Sequence, residues 1–340
     1  MSQKEKCATT PSPQRTMNAS FVLMNGKIVP AKQGHVSIMT HGFSYGTGCF
    51  EGIRGYWNPD TEDIYLFRVR EHFERLLQSC RILNMQLPYT PDELVAQAVE
   101  LIRRNKWRQN IYLRPMVYKG DELIGVKLHD LNDHYYMIAI PMGDYVTTTG
   151  LDCCISSWRR IDDNMIPSRA KVTGGYVNSA LAKTEANLNG FGEAILLNAD
   201  GHVSEGSSEN IFLITRGELH TPAATENILL GLTRDTVMKL AQREMGRITR
   251  ERQIDRTELY IADEVLLCGT GAQIAPVVSV DRRPIGNGQV GPISLAMREL
   301  YDDVVHARRP EYFEWLTPIY GTLEVAPIPV PDIVASEIME

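Results

Sequence analysis

Apolar residues recur every second position in several short stretches and about every 3.6 positions in a few longer ones, and these two periods divide the chain into elements. Phe21 to Pro30 sets apolar runs on either side of Asn25-Gly26, the pattern of a hairpin. His35 to Met39 and Ile64 to Phe67 predict short strands. Val69 to Leu83 places Phe73, Leu76, Leu77, Cys80 and Leu83 at helical spacing, with Arg75 beside that stripe. Thr90-Pro91-Asp92-Glu93 opens a second helix running to Trp107. Strands are expected at Asn110 to Tyr118 and Tyr135 to Met142, on either side of the loop GDELIGV, residues 120–126.

Further on, Leu151 to Trp158 reads as a strand and Val177 to Leu188 as a helix. Strands Ala194 to Leu197 and Ile211 to Ile214 flank a Ser/Gly-rich turn, SEGSSEN. Another hairpin turns at Arg216-Gly217, Thr233 opens a helix, and Arg256 to Tyr260 forms a short one. Glu264 to Leu267 is a strand, and Pro292 to His306 is the last clear helix. Two stretches, residues 40–56 (THGFSYGTGCFEGIRGY) and residues 268–277 (CGTGAQIAPV), are too rich in glycine for a plain helix or strand. Residues 307–340 are proline-rich without a period, and read as a tail on the surface or disordered.

Length and composition narrow this pattern. With 340 residues there is room for two domains, each with a core of its own. The change of composition over residues 143–150 marks the boundary. The expected order is an arm (1–20), a first unit (21–143), a loop (144–155), a second unit (156–306) and the tail (307–340). The mixture of elements is that of an α/β (α+β) protein. A hydrophobic content of 43% with 23% charged residues describes a globular chain. The formal charge of −7, with no basic run, argues against a nucleic-acid partner. No apolar stretch reaches bilayer length, and the first residues lack the apolar region of a secretory signal. Six cysteines without CxxC spacing point to a reduced, cytoplasmic protein with no metal site.

The chemistry concentrates between Ser168 and Phe212. Lys171 sits beside Gly174-Gly175 and Tyr176, and the chain returns through a hairpin to Glu205 in its Ser/Gly-rich turn. A lysine amine can add to a carbonyl, and a glutamate can hold a cationic ring nitrogen. Taken alone, Lys171 reads as a solvated lysine and SEGSSEN as a polar turn. Two further turns, GLTRD (231–235) and CGTGA (268–272), bring Gly and Thr where backbone N–H groups converge, and GLTRD leads into a helix N-terminus that favours a phosphate. Neither matches a nucleotide-binding fingerprint. Arg114, inside an apolar strand, needs either a cross-strand carboxylate or a bound anion.

These pieces, taken in order over residues 21–306, resemble the class IV, fold-type IV pyridoxal-phosphate aminotransferases, and within them the branched-chain amino acid aminotransferases. The matching segments include HGFSYGTGCFEGIR, LFRVREHFERL, NIYLRP, ELIGV, AKVTGGYVNSALAKTEA, SEGSSENIF, GLTRD and YIADEVLLCGTGAQIAPV. The resemblance implies a small N-terminal α/β domain and a larger pseudo-barrel C-terminal domain. It implies that Lys171 carries pyridoxal 5'-phosphate and moves the proton of the reaction, that Glu205 pairs with the ring nitrogen, and that Tyr176 meets the ring hydroxyl. Arg75, the N–H groups of Leu232 and Thr233, and Thr270 would hold the phosphate. Tyr45, Phe50, Tyr112, Ile124, Val126 and Tyr145 would form the apolar substrate walls, with Arg54 of FEGIR beside them. Arg114 would meet the distal carboxylate of glutamate, while Tyr112 and the backbone of Gly271 and Ala272 would take the α-carboxylate. The ELIGV loop would reach the neighbouring subunit's pocket, which makes a homodimer necessary.

The implied reaction is ping-pong transfer of an amino group from leucine, isoleucine or valine to 2-oxoglutarate through pyridoxamine phosphate. D-amino acid aminotransferases, (R)-amine transaminases and aminodeoxychorismate lyases share the lysine, glutamate and phosphate turns, and FEGIR with YLRP favours the branched-chain type. A non-catalytic α/β scaffold is the reading from another class.

Overall fold

The computed structural model describes residues 19–143 and 150–321, so most of the expected arm and the end of the expected tail lie outside the described residues. Its strands form two sheets, one of them curled into a half-barrel. The first sheet holds β1 (Phe21–Met24), β2 (Lys27–Pro30), β3 (Gly48–Phe50), β4 (Ile53–Asn58), β5 (Asp63–Phe67), β6 (Ile111–Lys119) and β7 (Asp133–Pro141), with antiparallel pairing throughout. The second holds β8 (Leu151–Arg159), β9 (Glu193–Leu197), β10 (Val203–Gly206), β11 (Asn210–Thr215), β12 (Glu218–Pro222), β13 (Thr249–Arg252), β14 (Glu264–Gly269), β15 (Gln273–Val280) and β16 (Arg283–Pro284). Here parallel pairs, β8 with β9 and with β15, mix with antiparallel ones such as β11 with β14. A last strand, β17 (Leu316–Pro318), returns to the first sheet beside β5.

Seven α-helices cover these sheets among the described residues: α1 (His41–Tyr45), α2 (Val69–Ile82), α3 (Pro91–Asn105), α4 (Tyr176–Leu188), α5 (Leu232–Met245), α6 (Glu258–Ile261) and α7 (Pro292–Val305). Helix α2 buries Val69, Phe73, Leu76 and Cys80 against the first sheet, each large apolar side chain contributing about 1.5–3 kcal/mol. Helix α3 starts on a full capping box, in which Thr90 accepts from the Glu93 N–H and the Glu93 carboxylate returns to the Thr90 N–H.

On β6, Ile111, Leu113, Pro115 and Val117 turn into the core while Tyr112 and Arg114 face the other way, as the period of two requires. Register places Tyr112 against Ile140 and Arg114 against Ile138 of β7. One polar-and-aromatic row of β6 thereby lies beside an apolar row of β7.

Two expectations from the pattern are overturned. His35 to Met39 is not a strand. The Ser37 hydroxyl and carbonyl capture the N–H groups of Met39 and Thr40, which bends the chain into a turn and leaves Ile38 exposed. Nor does the segment after α7 lie loose on the surface through residue 321. A 3-10 helix, Pro310–Trp315, buries Tyr312 and Trp315 among Phe67, Phe212 and Tyr301, and Ile319 is fully buried in the first sheet's core. Its anchors are aromatic side chains in a short irregular segment, which periodicity does not detect.

Candidate active site

Between the two sheets lies a cavity of about 770 Å³, in the range of small-molecule sites. Lys171 enters it from the crossover between β8 and α4. The backbone there is pinned on both sides: the Lys171 N–H donates to Ser79 Oγ at 3.1 Å, and its carbonyl accepts from the Phe50 N–H at 3.1 Å. Gly46, with φ of 66°, crosses Gly174 so closely that a Cβ on either would press on the other's backbone. This crossing lets the Lys171 loop sit against α1. Lys171 Nζ donates to the Tyr176 hydroxyl at 2.6 Å and lies 5.2 Å from the Phe50 ring centre.

Glu205 lines the same cavity from the end of β10. Its carboxylate accepts from Arg160 Nη2 at 2.7 Å, Asn210 Nδ2 at 3.0 Å and the Leu229 N–H at 3.1 Å. Burial nevertheless raises its pKa above the ordinary carboxylate value, because these partners and Lys171 offset only part of the lost hydration. A buried acid in this condition favours a further cationic or N–H group in the cavity.

Another end of the cavity is built by α5 and the turn after β14. Leu232 and Thr233 begin α5 behind Gly231, so their N–H groups belong to the unsatisfied first turn. Gly231 has no room for a side chain, since a Cβ would fall 2.1 Å from Asn210 Oδ1. Arg75 reaches this end from α2, its Nη1 donating to the Leu230 carbonyl at 2.8 Å, and Thr270, Gly271 and Ala272 close the opposite wall. The rest of the Arg75 guanidinium is held by Glu51 through Nε at 2.7 Å and Nη2 at 2.8 Å, and His72 Nδ1 meets the same carboxylate at 2.7 Å. Burial opposes the Glu51 charge, yet Arg75 and His72 outweigh it and keep the carboxyl well below its usual range.

A further wall of the cavity is the β6/β7 row. Tyr112, Arg114, Tyr136, Ile138, Ile140 and Met142 line it, with Phe50. Arg114 faces no cross-strand carboxylate. Nη2 donates to the Tyr112 hydroxyl at 2.7 Å, the guanidinium stacks 4.6 Å from the Phe50 ring centre, and buried Nε has no partner among the described residues. An unsatisfied buried donor costs about 1–3 kcal/mol, which an anion entering the cavity would relieve.

Residues 48–280 match the family model for class IV aminotransferases, well over half of the chain. The chain belongs to the class IV aminotransferases. Relatives similar to it include a probable branched-chain-amino-acid aminotransferase of Aquifex aeolicus (strain VF5), 47% identical over 90% of this chain and 99% of that one. The branched-chain-amino-acid aminotransferase of Escherichia coli (strain K12) is 36% identical over 88% and 98%. Among solved structures, the branched-chain aminotransferase of Thermoproteus uzoniensis with norvaline superposes with a TM-score of 0.86 at 40% identity, covering 89% of this chain and all of that one. The branched-chain amino acid aminotransferase of Thermobaculum terrenum in its PLP form gives 0.84 at 37% identity, covering 89% of this chain and 99% of that one.

In this class IV chain the cavity gathers Phe50, Arg75, Tyr112, Arg114, Lys171, Tyr176, Glu205, Leu232, Thr233, Thr270, Gly271 and Ala272 of the residues singled out by sequence. Four others do not reach it from their own chain. Tyr45, Ile124 and Val126 sit on an exposed face, the last two 76% and 90% exposed in one loop. That loop is tied to α1 by His41 Nε2 on the Gly125 carbonyl at 2.8 Å and by the Gly125 N–H on the Tyr45 hydroxyl at 3.2 Å. Arg54 is fully buried, over the Tyr56 ring, and among the described residues donates only a long 3.4 Å bond to the Gly143 carbonyl. Tyr145 lies outside the described residues.

Sequence reasoning missed Arg160 and Glu51, whose roles arise from pairing across distance, and Asn210, which closes the SEGSSEN turn on Glu205 from five residues away. It also passed over Tyr136, Ile138 and Ile140, which the two-residue alternation of YYMIAIPM could have assigned to the face opposite the core.

Proposed function

We propose that this chain exchanges an amino group between branched-chain L-amino acids and 2-oxoglutarate with pyridoxal 5'-phosphate as cofactor. The observation that carries this reading is the convergence of Lys171 and Glu205 on one cavity that also holds a helix N-terminus and a partnerless Arg114 donor. The donor set fits the cofactor: an amine, a buried acid with raised proton affinity, a phenol, and free N–H groups beside Gly231.

When bound, pyridoxal 5'-phosphate supplies an aldehyde for the amino group and a ring that accepts the electron pair of the substrate's Cα–H bond. Lys171 Nζ, oriented by Tyr176, would take the proton from the substrate's Cα and deliver it to the carbon that carried the aldehyde. Glu205 stabilises positive charge on the ring-nitrogen side, and Arg160 and Asn210 hold it in place. The α5 N-terminus, Thr270 and Arg75 hold the phosphate. Ile138, Ile140 and Phe50 shield a branched side chain from water, and Arg114 answers the distal carboxylate of glutamate in the same space. One pocket thereby serves an apolar and an acidic substrate in turn.

The reading includes a homodimer. Phe43 on α1, and Ile124 and Val126 in the loop that His41 ties to α1, are exposed apolar side chains, which suits insertion at a second copy's cavity. A cytoplasmic setting is also part of it, supported by five described cysteines that are all buried and free. No helix among the described residues is long and apolar enough to cross a membrane.

Protein loaded with pyridoxal 5'-phosphate is expected to change its visible absorption on addition of L-leucine alone, and to regain it on addition of 2-oxoglutarate. A response to D-leucine or (R)-phenylethylamine but not to L-leucine would move the assignment within the family. Silence toward every amino donor would overturn it.

A further inference from the structure

We propose that Arg68 is a positioning residue for the cofactor phosphate, acting through the backbone of residues 230–233 without touching the phosphate itself. This rests on the cofactor reading given above.

Arg68 is the N-cap of α2, holds φ at 51° and is only 5% exposed. A non-glycine residue in the left-handed region carries strain that its surroundings must offset. Its side chain reaches the first turn of α5: Nη1 donates to the Leu232 carbonyl at 3.1 Å, Asp235 Oδ2 at 2.6 Å and Thr236 Oγ1 at 3.0 Å. The Arg68 N–H donates to the Trp315 carbonyl at 2.7 Å, and the guanidinium lies 5.6 Å from the Trp315 ring centre.

Seven residues on, two helical turns along the same face, Arg75 Nη1 holds the Leu230 carbonyl. The two arginines therefore hold alternate carbonyls where the chain enters α5, Arg68 from outside the cavity and Arg75 from its lining. In a planar trans peptide the carbonyl and the following N–H point in opposite directions. Anchoring the Leu230 carbonyl aims the Gly231 N–H inward, and anchoring the Leu232 carbonyl does the same for the N–H of Thr233, which lines the cavity. Asp235 and Glu71 balance the Arg68 charge, so orientation of the loop is the contribution rather than added positive potential.

The test titrates the apoprotein with two probes, pyridoxal 5'-phosphate and pyridoxal, following visible absorption and intrinsic fluorescence. Arg68→Gln is expected to weaken pyridoxal 5'-phosphate by ~tenfold or more, the scale of losing hydrogen bonds from a charged group, while the affinity for pyridoxal stays within about threefold. Arg68→Lys keeps the charge but loses the fork, and is expected to behave like the glutamine variant. Full retention of phosphate preference in either variant overturns the proposal, as does equal weakening of both probes, which marks a purely structural residue. Should the Arg68 variants fail to fold, Thr236→Val removes the other side chain on the Leu232 carbonyl and is read by the same ratio. A wild-type protein that binds neither probe overturns the cofactor reading itself, and this inference with it.

Discussion

At the end of the cavity built by the second sheet, the chain supplies its own partners: Glu205 has Arg160, Asn210 and a backbone N–H, and the 230–233 loop is held by two arginines. Along the β6/β7 wall the opposite holds. Arg114 keeps a buried nitrogen without a partner among the described residues, and the loop carrying Ile124 and Val126 offers apolar side chains to solvent. On the proposed function, the difference matches the lifetimes of the occupants. A resident cofactor calls for a preorganised site whose hydrogen bonds exist beforehand, whereas alternating substrates call for groups that only the bound state satisfies.

Substitutions can break this contrast. Lys171→Ala should have the largest effect, a loss of at least about 10³-fold in leucine transamination rate, because the amine moves the proton. Borohydride reduction of the loaded protein, followed by peptide mapping, should label Lys171 in the wild type and nothing in the variant. Glu205→Gln comes next. Its carboxamide keeps the size but not the charge, and a kcat loss on the order of 10²-fold is expected, with the cofactor retained.

On the substrate side the effect should be smaller and selective. Arg114→Leu is expected to lower kcat/KM for glutamate by roughly 10–100-fold while leucine changes less than about threefold, measured on the separate half-reactions. Equal losses for both amino acids would erase the distinction between the two ends.

The smallest effect concerns pH. Burial, joined by the neighbouring Glu193 carboxylate, pushes Glu209 up to about 7 from its ordinary 4.5. The folded protein holds that proton more tightly than the unfolded chain does. Its stabilising contribution is therefore complete below pH 4.5 and disappears as pH rises through about 7. Glu209→Gln should flatten the pH dependence of apoprotein stability between about 5 and 7.5 by on the order of 1–3 kcal/mol, read from urea unfolding at each pH. An unchanged slope would show that Glu209 already ionises normally in the fold.

The parts of the site readable beforehand were those whose chemistry is local. The glycines beside Lys171, the helix start at GLTRD and the turn at Glu205 each declare themselves within a few residues. The helices α2, α3, α5 and α7 carried enough turns for their period to show. What stayed hidden was pairing across distance. Arg160 and Glu205 are far apart in sequence, and nothing near either names the other. Glu51 sits inside FEGIR, yet its grip on Arg75 depends on how β3 and α2 pack. The strand expected at His35 to Met39 failed for a local reason, a serine that bends the chain, which its apolar alternation masked.

The strand β17 ties the fold to the order in which a ribosome makes it. Asp63, at the start of β5, receives the N–H groups of Ile319, Tyr320 and Gly321, and the first of these lies 256 residues downstream. Until that segment has been translated, β5 keeps a bare edge able to recruit strands from other chains. Every strand of the second sheet must therefore be made before the first sheet is sealed, so the edge of β5 is the last part of either sheet to be covered.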